Sequence, residues 1–209
     1  MSVFLPKTNF NLYADAKATE KELLKFWQDI ELEKQRKAAR VGAKKFILHD
    51  GPPYANGPIH IGHAENKFWK DAINKIFWQS GYDTPYIPGW DSHGLPIETA
   101  VEKQFKEQGV DKNSLSRQEF WDKCYEFSNH WMQHQMQQFK ELGVFADYEN
   151  AYATFFEPES IGVMECTHKF VEHGLLERRL RPVLWSYAEK TALAYAEVEY
   201  KDKVSTSVY

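Results

Sequence analysis

The length and composition of the chain exclude several classes of protein. Its 209 residues are enough to bury a hydrophobic core without disulfides or metals, which excludes a mini-protein. Hydrophobic residues make up 43% of the chain and aromatic residues 15%, which argues against intrinsic disorder. The 26 Lys and Arg residues against 30 Asp and Glu residues give a net charge of -4, so any contact with nucleic acid is expected to be local.

Cysteine usage and the first residues indicate the compartment. Cys124 and Cys166 are isolated from each other, which is typical of a reducing cytosol and excludes a disulfide framework. Residues 1–16 carry neither a basic stretch nor an apolar run, so we expect no signal peptide and no membrane anchor. The expected location is the cytoplasm.

The spacing of apolar residues predicts alternating helices and strands in the first half of the chain. The expected elements are a helix from Thr19 to about Arg40 opened by a capping box at Thr19–Glu22, a buried strand at Phe46–His49, a helix at Ile61–Gln79 that stops before Gly81, and a strand at Tyr82–Ile87 that ends at Pro88-Gly89-Trp90. A strand, a helix and a second strand form a crossover unit, in which the two strands run parallel. The sequence therefore predicts an α/β fold with a parallel sheet and flanking helices.

The second half is predicted to be mainly helical before its character changes. The expected elements are helices at Pro96–Gln108, at Ser116 to about Leu142 and at Pro158–His173, then strands at Pro182–Trp185 and Tyr195–Tyr200. The last residues, Lys203–Tyr209, have the pattern of a strand cut in its middle. We therefore expect the domain to continue beyond this sequence.

The loop between the first predicted strand and the next helix carries the main candidate site. His60 and His63 flank the helix start, where free N–H groups attract a phosphate, and Gly62 leaves room for a flat ring or a phosphate. Neither common nucleotide-binding glycine motif is present, so the histidines would have to supply the donors. An ordinary surface pair of histidines fits the same spacing, and so does zinc ligation, although no further ligand stands beside the pair.

A second candidate lies just beyond the second predicted strand. Asp91 stands where an acid can pair with the ammonium group of a ligand, but it also precedes a turn and a helix, so an N-cap is an equal alternative. Trp90 is more typical of a core residue than of a binding residue. The position of Asp91 alone fits a ligand-binding acid and a helix N-cap equally well.

Four separated blocks resemble the catalytic start of the class I aminoacyl-tRNA synthetases. They are His60-Ile61-Gly62-His63 with the preceding Pro52–Gly57, then Pro88–Glu98, Arg181–Trp185 and Ala192–Tyr200. The blocks stand in the family's order and extend over most of the chain. The run from His49 to Gly57 is most similar to the isoleucine-specific branch, whereas valine- and leucine-specific relatives share the His-x-Gly-His element and remain alternatives.

The resemblance implies an architecture and a reaction. It implies the N-terminal half of a Rossmann-like catalytic domain at residues 1–180, followed at residues 181–209 by the start of the editing insertion. In this family the carboxylate of the amino acid, here isoleucine, attacks the α-phosphate of ATP held with Mg²⁺, pyrophosphate leaves, and the adenylate passes to the terminal ribose of tRNA. The full-length relatives are expected to be monomers with no membrane association.

The resemblance also assigns roles to particular residues. It implies that His60 and His63 are catalytic, that ATP is bound by Asn56, Gly57, His60, Gly62 and His63, and that the amino acid is bound by Gly51, Pro52, Asp91 and, in a secondary role, Trp90 and His93. Imidazole donors at the phosphate oxygens would stabilise charge that grows in the transition state.

The chain departs from the family in two ways. Many relatives carry a zinc-binding Cys-x-x-Cys where this sequence has Ser186 and Glu189, and His130 and His134 lack the glutamate of a zinc protease motif, so we expect no zinc. The family's second half, its anticodon-binding helices and its mobile lysine loop are absent from this sequence. Two hypotheses follow: part of a synthetase, or a short paralogue that binds ATP or an aminoacyl-adenylate.

Overall fold

The computed structural model describes residues 15–202 and 204, and the strand expected at Lys203–Tyr209 lies outside the described residues except for Val204. The chain divides into two compact units, Met1–Gly162 and Val163–Tyr209, which are described separately. The division expected at residue 180 concerns the family's insertion point and stays a prediction.

Helices dominate the secondary structure. They are α1 (Ala16–Asp29), α2 (Leu32–Ala38), α3 (Ile61–Gln79), α4 (Leu95–Glu107), α5 (Arg117–Glu141) and α6 (Glu157–Glu172). The strands are β1 (Gly89–Trp90), β2 (Tyr152–Ala153), β3 (Trp185–Ser186) and β4 (Thr191–Ala192), and short 3-10 turns lie at Lys112–Ser114, Tyr148–Asn150 and Tyr195–Glu197. Within the described residues, no helix is both long enough and apolar enough to span a membrane.

A small parallel sheet confirms the expected α/β class. β1 pairs with β2 in parallel, with Gly89 opposite Tyr152, and two isolated parallel bridges join Lys45 to Asp83 and Tyr54 to Asp91. These bridges bring the stretch before α3 beside the stretch from Asp83 to Asp91, which contains β1.

The positions of the expected strands need correction. Phe46–His49 and Tyr82–Ile87 run parallel at one bridge, where Phe46 N donates to Asp83 O at 2.8 Å, but neither forms a continuous strand. Pro85 and Pro88 have no N–H to donate to a ladder, which explains why regular pairing begins only at Gly89.

The first helix was also predicted wrongly. Asp15, not Thr19, caps α1, because its carboxylate accepts from Lys17 N and Ala18 N, and the helix breaks at Glu31, which adopts a left-handed φ of 49°. Thr19 therefore lies inside the first turns of the helix. The later helices agree with prediction to within one or two residues.

The second unit contains a hairpin in place of the two expected strands. β3 and β4 pair antiparallel, and Lys190, with a φ of 53°, makes the turn between them. The strand expected at Tyr195–Tyr200 is wrong: a 3-10 turn forms there, because the Glu197 carboxylate accepts from Ala194 N at 2.8 Å.

The core of the first unit lies under the loop that precedes α3. One cluster combines the buried face of α5 with the sheet and that loop; its members are Ala55, Trp90, Met132, Phe139, Ala153 and Phe155. Met132 and Phe139 are seven positions apart, two turns of one helix face. Ala55 and Trp90 are each 0% exposed, so both segments that carry site residues are anchored in this core.

Candidate active site

His60 and His63 form a reciprocal cap at the start of α3. His60 Nδ1 accepts from Gly62 N at 3.1 Å, and His63 Nδ1 accepts from His60 N at 3.2 Å. A neutral imidazole whose Nδ1 accepts must carry its proton on Nε2. The backbone therefore fixes both rings in the tautomer that presents an Nε2–H donor.

The two imidazoles lie against each other at the molecular surface. Their centroids are 3.8 Å apart with an interplanar angle of 29°. His60 is exposed and His63 is half-buried. Burial, with further contributions from His60 and Lys67, lowers the pKa of His63, so this ring is neutral at pH 7. The cap and the pKa thus agree that His63 is a neutral donor.

Gly62 has a role that the sequence did not reveal. A Cβ at this position would lie 3.0 Å from His60 Cε1 and 3.1 Å from His60 Nδ1. The absence of a side chain therefore lets the His60 ring fold back onto the helix start. The expected part of Gly62 in binding ATP stays a prediction.

A buried ion cluster centred on Asp50 escaped sequence analysis. The Asp50 carboxylate, 0% exposed, pairs with Lys67 and with Lys70, whose Nζ lies 2.6 Å from Oδ1. Gly89 N also donates to Asp50 Oδ2 at 3.3 Å, and Lys67 Nζ lies 3.3 Å from Tyr86 Oη. Asp50 therefore ties the loop, α3 and β1 together.

The electrostatics of this cluster favour an ionised carboxylate. Burial alone would raise the pKa of Asp50, but Lys67 and Lys70 outweigh it and hold that pKa below its usual range. The partners lie 17 and 20 residues from Asp50 along the chain. The available signal was Asp50 directly after an apolar run, together with two lysines on one face of the next helix.

Asp91 is held by the loop on one side and by β2 on the other. Its N donates to Pro53 O at 2.9 Å, and its O accepts from Ala55 N at 3.1 Å. The Thr154 hydroxyl lies 3.5 Å from Asp91 Oδ1 and also accepts from Ser92 N at 2.9 Å. Thr154, directly after β2, is a further residue of the site that sequence analysis missed.

The N-cap alternative for Asp91 is wrong. α4 is capped by Gly94, with a φ of 95° and no side-chain cap bond. The half-buried Asp91 carboxylate is therefore not used to start that helix. This leaves it as an acid at the edge of the sheet.

Trp90 and His93, the secondary candidates, lie in different environments. Trp90 is completely buried and its Nε1 donates to Gln135 Oε1 at 3.0 Å, so in this conformation it has no surface with which to contact a ligand. This burial is typical of a core residue beside Asp91, and the expected secondary role of Trp90 in binding the amino acid stays a prediction. His93 is exposed, with Nε2 2.9 Å from Thr154 O.

The loop residues expected to face the ligand are accessible. Gly51 and Asn56 are exposed, whereas Pro52 and Gly57 are half-buried. Gly57 O accepts from Gln135 Nε2 at 2.7 Å, which holds the loop against α5.

Cavities also form away from the histidines, within the part of the first unit that the structure describes. One of about 80 Å³ lies between α4 and α5 beside His93, and one of about 420 Å³ lies between α2 and α3. His60 and His63 line neither cavity. Among the residues that the structure describes, no group of three or more His, Cys, Asp and Glu side chains is placed to hold a metal ion.

Comparison with known proteins gives consistent results. Residues 22–207 match the family described as tRNA synthetases class I (I, L, M and V). The chain is 49% identical, over its whole length, to 23% of the isoleucine–tRNA ligase of Pelagibacter ubique, and 50% identical, over 99% of its length, to 22% of the isoleucine–tRNA ligase of Zymomonas mobilis. It therefore spans less than a quarter of these relatives.

A solved structure supports the fold independently. The chain is similar, with a TM-score of 0.68 and 23% identity, to the LeuRS in the ternary complex of Agrobacterium radiobacter K84 agnB2 LeuRS, tRNA and LeuAMS. The likeness covers 88% of this chain and 21% of that one. It confirms the expected catalytic-domain fold.

Proposed function

Because the chain belongs to the class I tRNA synthetases, we propose that it supplies the phosphate-binding part of an isoleucine–tRNA ligase. The observation that carries the proposal is the reciprocal cap at His60 and His63, which presents two Nε2–H donors at a helix N-terminus. A helix N-terminus favours a phosphate group, and the donors are fixed before the ligand arrives.

In the proposed reaction the isoleucine carboxylate attacks the α-phosphorus of ATP. The new bond is a carboxylate oxygen–phosphorus bond, and the bond to the pyrophosphate oxygen breaks. Charge grows on the phosphate oxygens in the transition state, and fixed N–H donors stabilise it without reorganisation. The ribose hydroxyl of the tRNA terminus then takes the acyl group and AMP leaves.

Asp91 is proposed to bind the ammonium group of isoleucine. Its carboxylate is half-buried beside the Thr154 hydroxyl, and it is not used as a helix cap. Gly51 and Pro52 are proposed as the neighbouring wall, since the bridge from Tyr54 to Asp91 brings their loop to the same edge of the sheet. Isoleucine is favoured over valine or leucine as the substrate because the matched relatives are isoleucine–tRNA ligases.

The remaining parts of the proposal concern ligands and location. Mg²⁺ is proposed to accompany ATP, zinc to be absent from this segment, and tRNA to bind mainly through parts of the protein outside this chain. Two isolated cysteines fit a cytoplasmic protein. The full-length protein is proposed to be a monomer without membrane association.

The test is isoleucine-dependent pyrophosphate exchange in a chimaera. The chain would replace the matching segment of the Pelagibacter ubique ligase, to which it is 49% identical. We expect exchange that depends on isoleucine more than on valine, and a loss of roughly 10²–10³-fold in kcat for His63→Ala. The control is His168→Ala, an exposed histidine on α6. A folded chimaera without exchange, or an equal loss in both variants, would refute the proposal.

A further inference from the structure

Gln135 is a buried amide in the middle of an apolar helix face. Its side chain is 1% exposed, and its neighbours on that face of α5 include Met132 and Phe139. Burying an amide is unfavourable unless its polar atoms are hydrogen-bonded. Its presence therefore calls for bonding partners rather than for packing alone.

Every polar atom of this amide has a partner of the right kind. Oε1 accepts from Trp90 Nε1 at 3.0 Å, while Nε2 donates to Tyr54 O at 2.8 Å and to Gly57 O at 2.7 Å. An indole nitrogen only donates and a carbonyl only accepts, so the partners dictate the orientation of the amide. A carboxylate or an apolar side chain cannot make the same three bonds.

These three partners belong to the two segments that carry the site. Gly57 lies next to Asn56 on the nucleotide-facing loop, and Trp90 precedes Asp91. One turn along α5, Gln138 Oε1 accepts from Ile59 N at 3.0 Å, directly before His60. Two glutamines on one helix thus hold the loop at three points, and one of them also holds the segment that carries Asp91.

We infer that Gln135 is a positioning residue: its amide keeps the loop that ends at His60 in register with the segment that ends at Asp91. The inference rests on the proposed function, since the register matters where ATP and the amino acid must meet. Displacements of about 1 Å in such an arrangement are enough to cost large factors in rate. Gln135 is 1% exposed, so it is assigned no contact with either substrate.

The test uses Gln135→Glu and Gln135→Met in the same chimaera, with the exposed Gln133→Glu as the matched control. At about pH 8 the buried carboxylate of Gln135→Glu would face two carbonyl oxygens, and we expect kcat for exchange to fall by about tenfold or more. Carbonyl neighbours and burial raise the pKa of such a glutamate. At about pH 6 its protonated form can donate to one carbonyl and accept from Trp90, so kcat relative to the unsubstituted protein should recover. The kcat of Gln135→Met should show no such recovery at about pH 6.

A purely structural role predicts a different result. It would lower the melting temperature but leave kcat per folded molecule unchanged, and it would give no pH-dependent recovery of kcat. A folded Gln135→Glu chimaera with unchanged kcat and KM at about pH 8, or an equal loss in Gln133→Glu, overturns the inference. If both Gln135 variants fail to fold, the test uses Gln138→Met, a substitution of a half-buried residue that removes only the bond to Ile59. This variant should lower kcat about threefold or more, and an unchanged kcat overturns the inference.

A second measurement separates this inference from the proposed function. Hydrogen–deuterium exchange of the 209-residue chain reports the loop directly, and we expect the peptide that covers residues 54–60 to exchange faster in Gln135→Met and in Gln138→Met than in Gln133→Glu. If the unsubstituted chimaera shows no pyrophosphate exchange, the proposed function fails. Unchanged deuterium uptake in the loop would overturn the positioning role.

Discussion

Removing the Lys67 ammonium by the substitution Lys67→Met is expected to destabilise the first unit strongly. Lys67 is 3% exposed and Asp50 0% exposed, so the substitution leaves a carboxylate without one of its partners inside the protein. Breaking a buried pair costs about 3–5 kcal/mol. Lys70 still contacts Asp50 and is 14% exposed, so we expect the lower end, about 3 kcal/mol.

The substitution of the other partner, Asp50→Asn, is expected to lower the free energy of unfolding more than Lys67→Met does. It removes the acid from two lysines at once and leaves Lys67 with Tyr86 Oη at 3.3 Å and the face of the Phe139 ring at 5.0 Å. A neutral amide cannot balance the buried ammonium, which places the loss near the upper end, about 5 kcal/mol. The double variant should lose less than the sum, because it leaves no buried charge without a partner at the Lys67 position.

The measurement is urea unfolding of the 209-residue chain, followed by tryptophan fluorescence. The control is Lys34→Met, which breaks an exposed pair with Glu31 and should leave the free energy of unfolding unchanged. A Lys67→Met loss no larger than that of the control would refute the argument from burial.

The same cluster predicts a pH dependence. The pKa of Asp50 is lower in the folded chain than in the unfolded one, so its stabilising contribution is complete above the unfolded value of about 4 and is lost as the pH falls through the folded value. Asp50→Asn should therefore reduce the fall in the free energy of unfolding at acid pH. An unchanged fall would contradict the assignment of this pH dependence to Asp50.

Four further outcomes are expected. Gly89→Ala places a Cβ 2.0 Å from the Tyr152 ring and should cost about 1–3 kcal/mol in urea unfolding, a loss that Tyr152→Ala in the same chain should relieve. Gly62→Ala should lower kcat for exchange in the chimaera by pushing the His60 ring off the cap, without lowering the melting temperature. Asp91→Asn should raise the isoleucine KM and cost roughly 2–5 kcal/mol in kcat/KM, and unchanged exchange kinetics would exclude the role. The isolated chain should bind ATP weakly in calorimetry and show no exchange, since it spans less than a quarter of its relatives, and robust exchange would contradict this.

Local signals in the sequence were enough to predict the helices around the site. Ser116 and Glu119 cap each other through bonds of 3.2 and 2.7 Å, and Gly81, with a φ of 96°, follows α3 as expected. Such contacts involve residues within a few positions, so composition and spacing reveal them.

Contacts between distant residues were beyond the sequence. Gln135 reaches carbonyls 78 and 81 positions away, and Lys67 reaches Asp50 across 17 positions. Their partners are backbone atoms or buried charges, which leave no periodic pattern. The strand expected at Tyr82–Ile87 failed for a different reason, because Pro85 interrupts a run that hydrophobicity alone suggests is continuous.

The reciprocal cap at the start of α3 restricts which side chains can replace the imidazole at position 63. The ring at this position accepts a hydrogen bond from the His60 amide N–H with Nδ1 and offers the N–H of Nε2 to solvent or ligand. Lysine and arginine only donate, and an ionised carboxylate only accepts, so none of them can do both. An imidazole or a carboxamide can do both with two different atoms, and a hydroxyl can do both with one. Replacing His63 by lysine or arginine, in order to bind a triphosphate more tightly, would therefore remove the hydrogen bond between positions 60 and 63 at the start of α3.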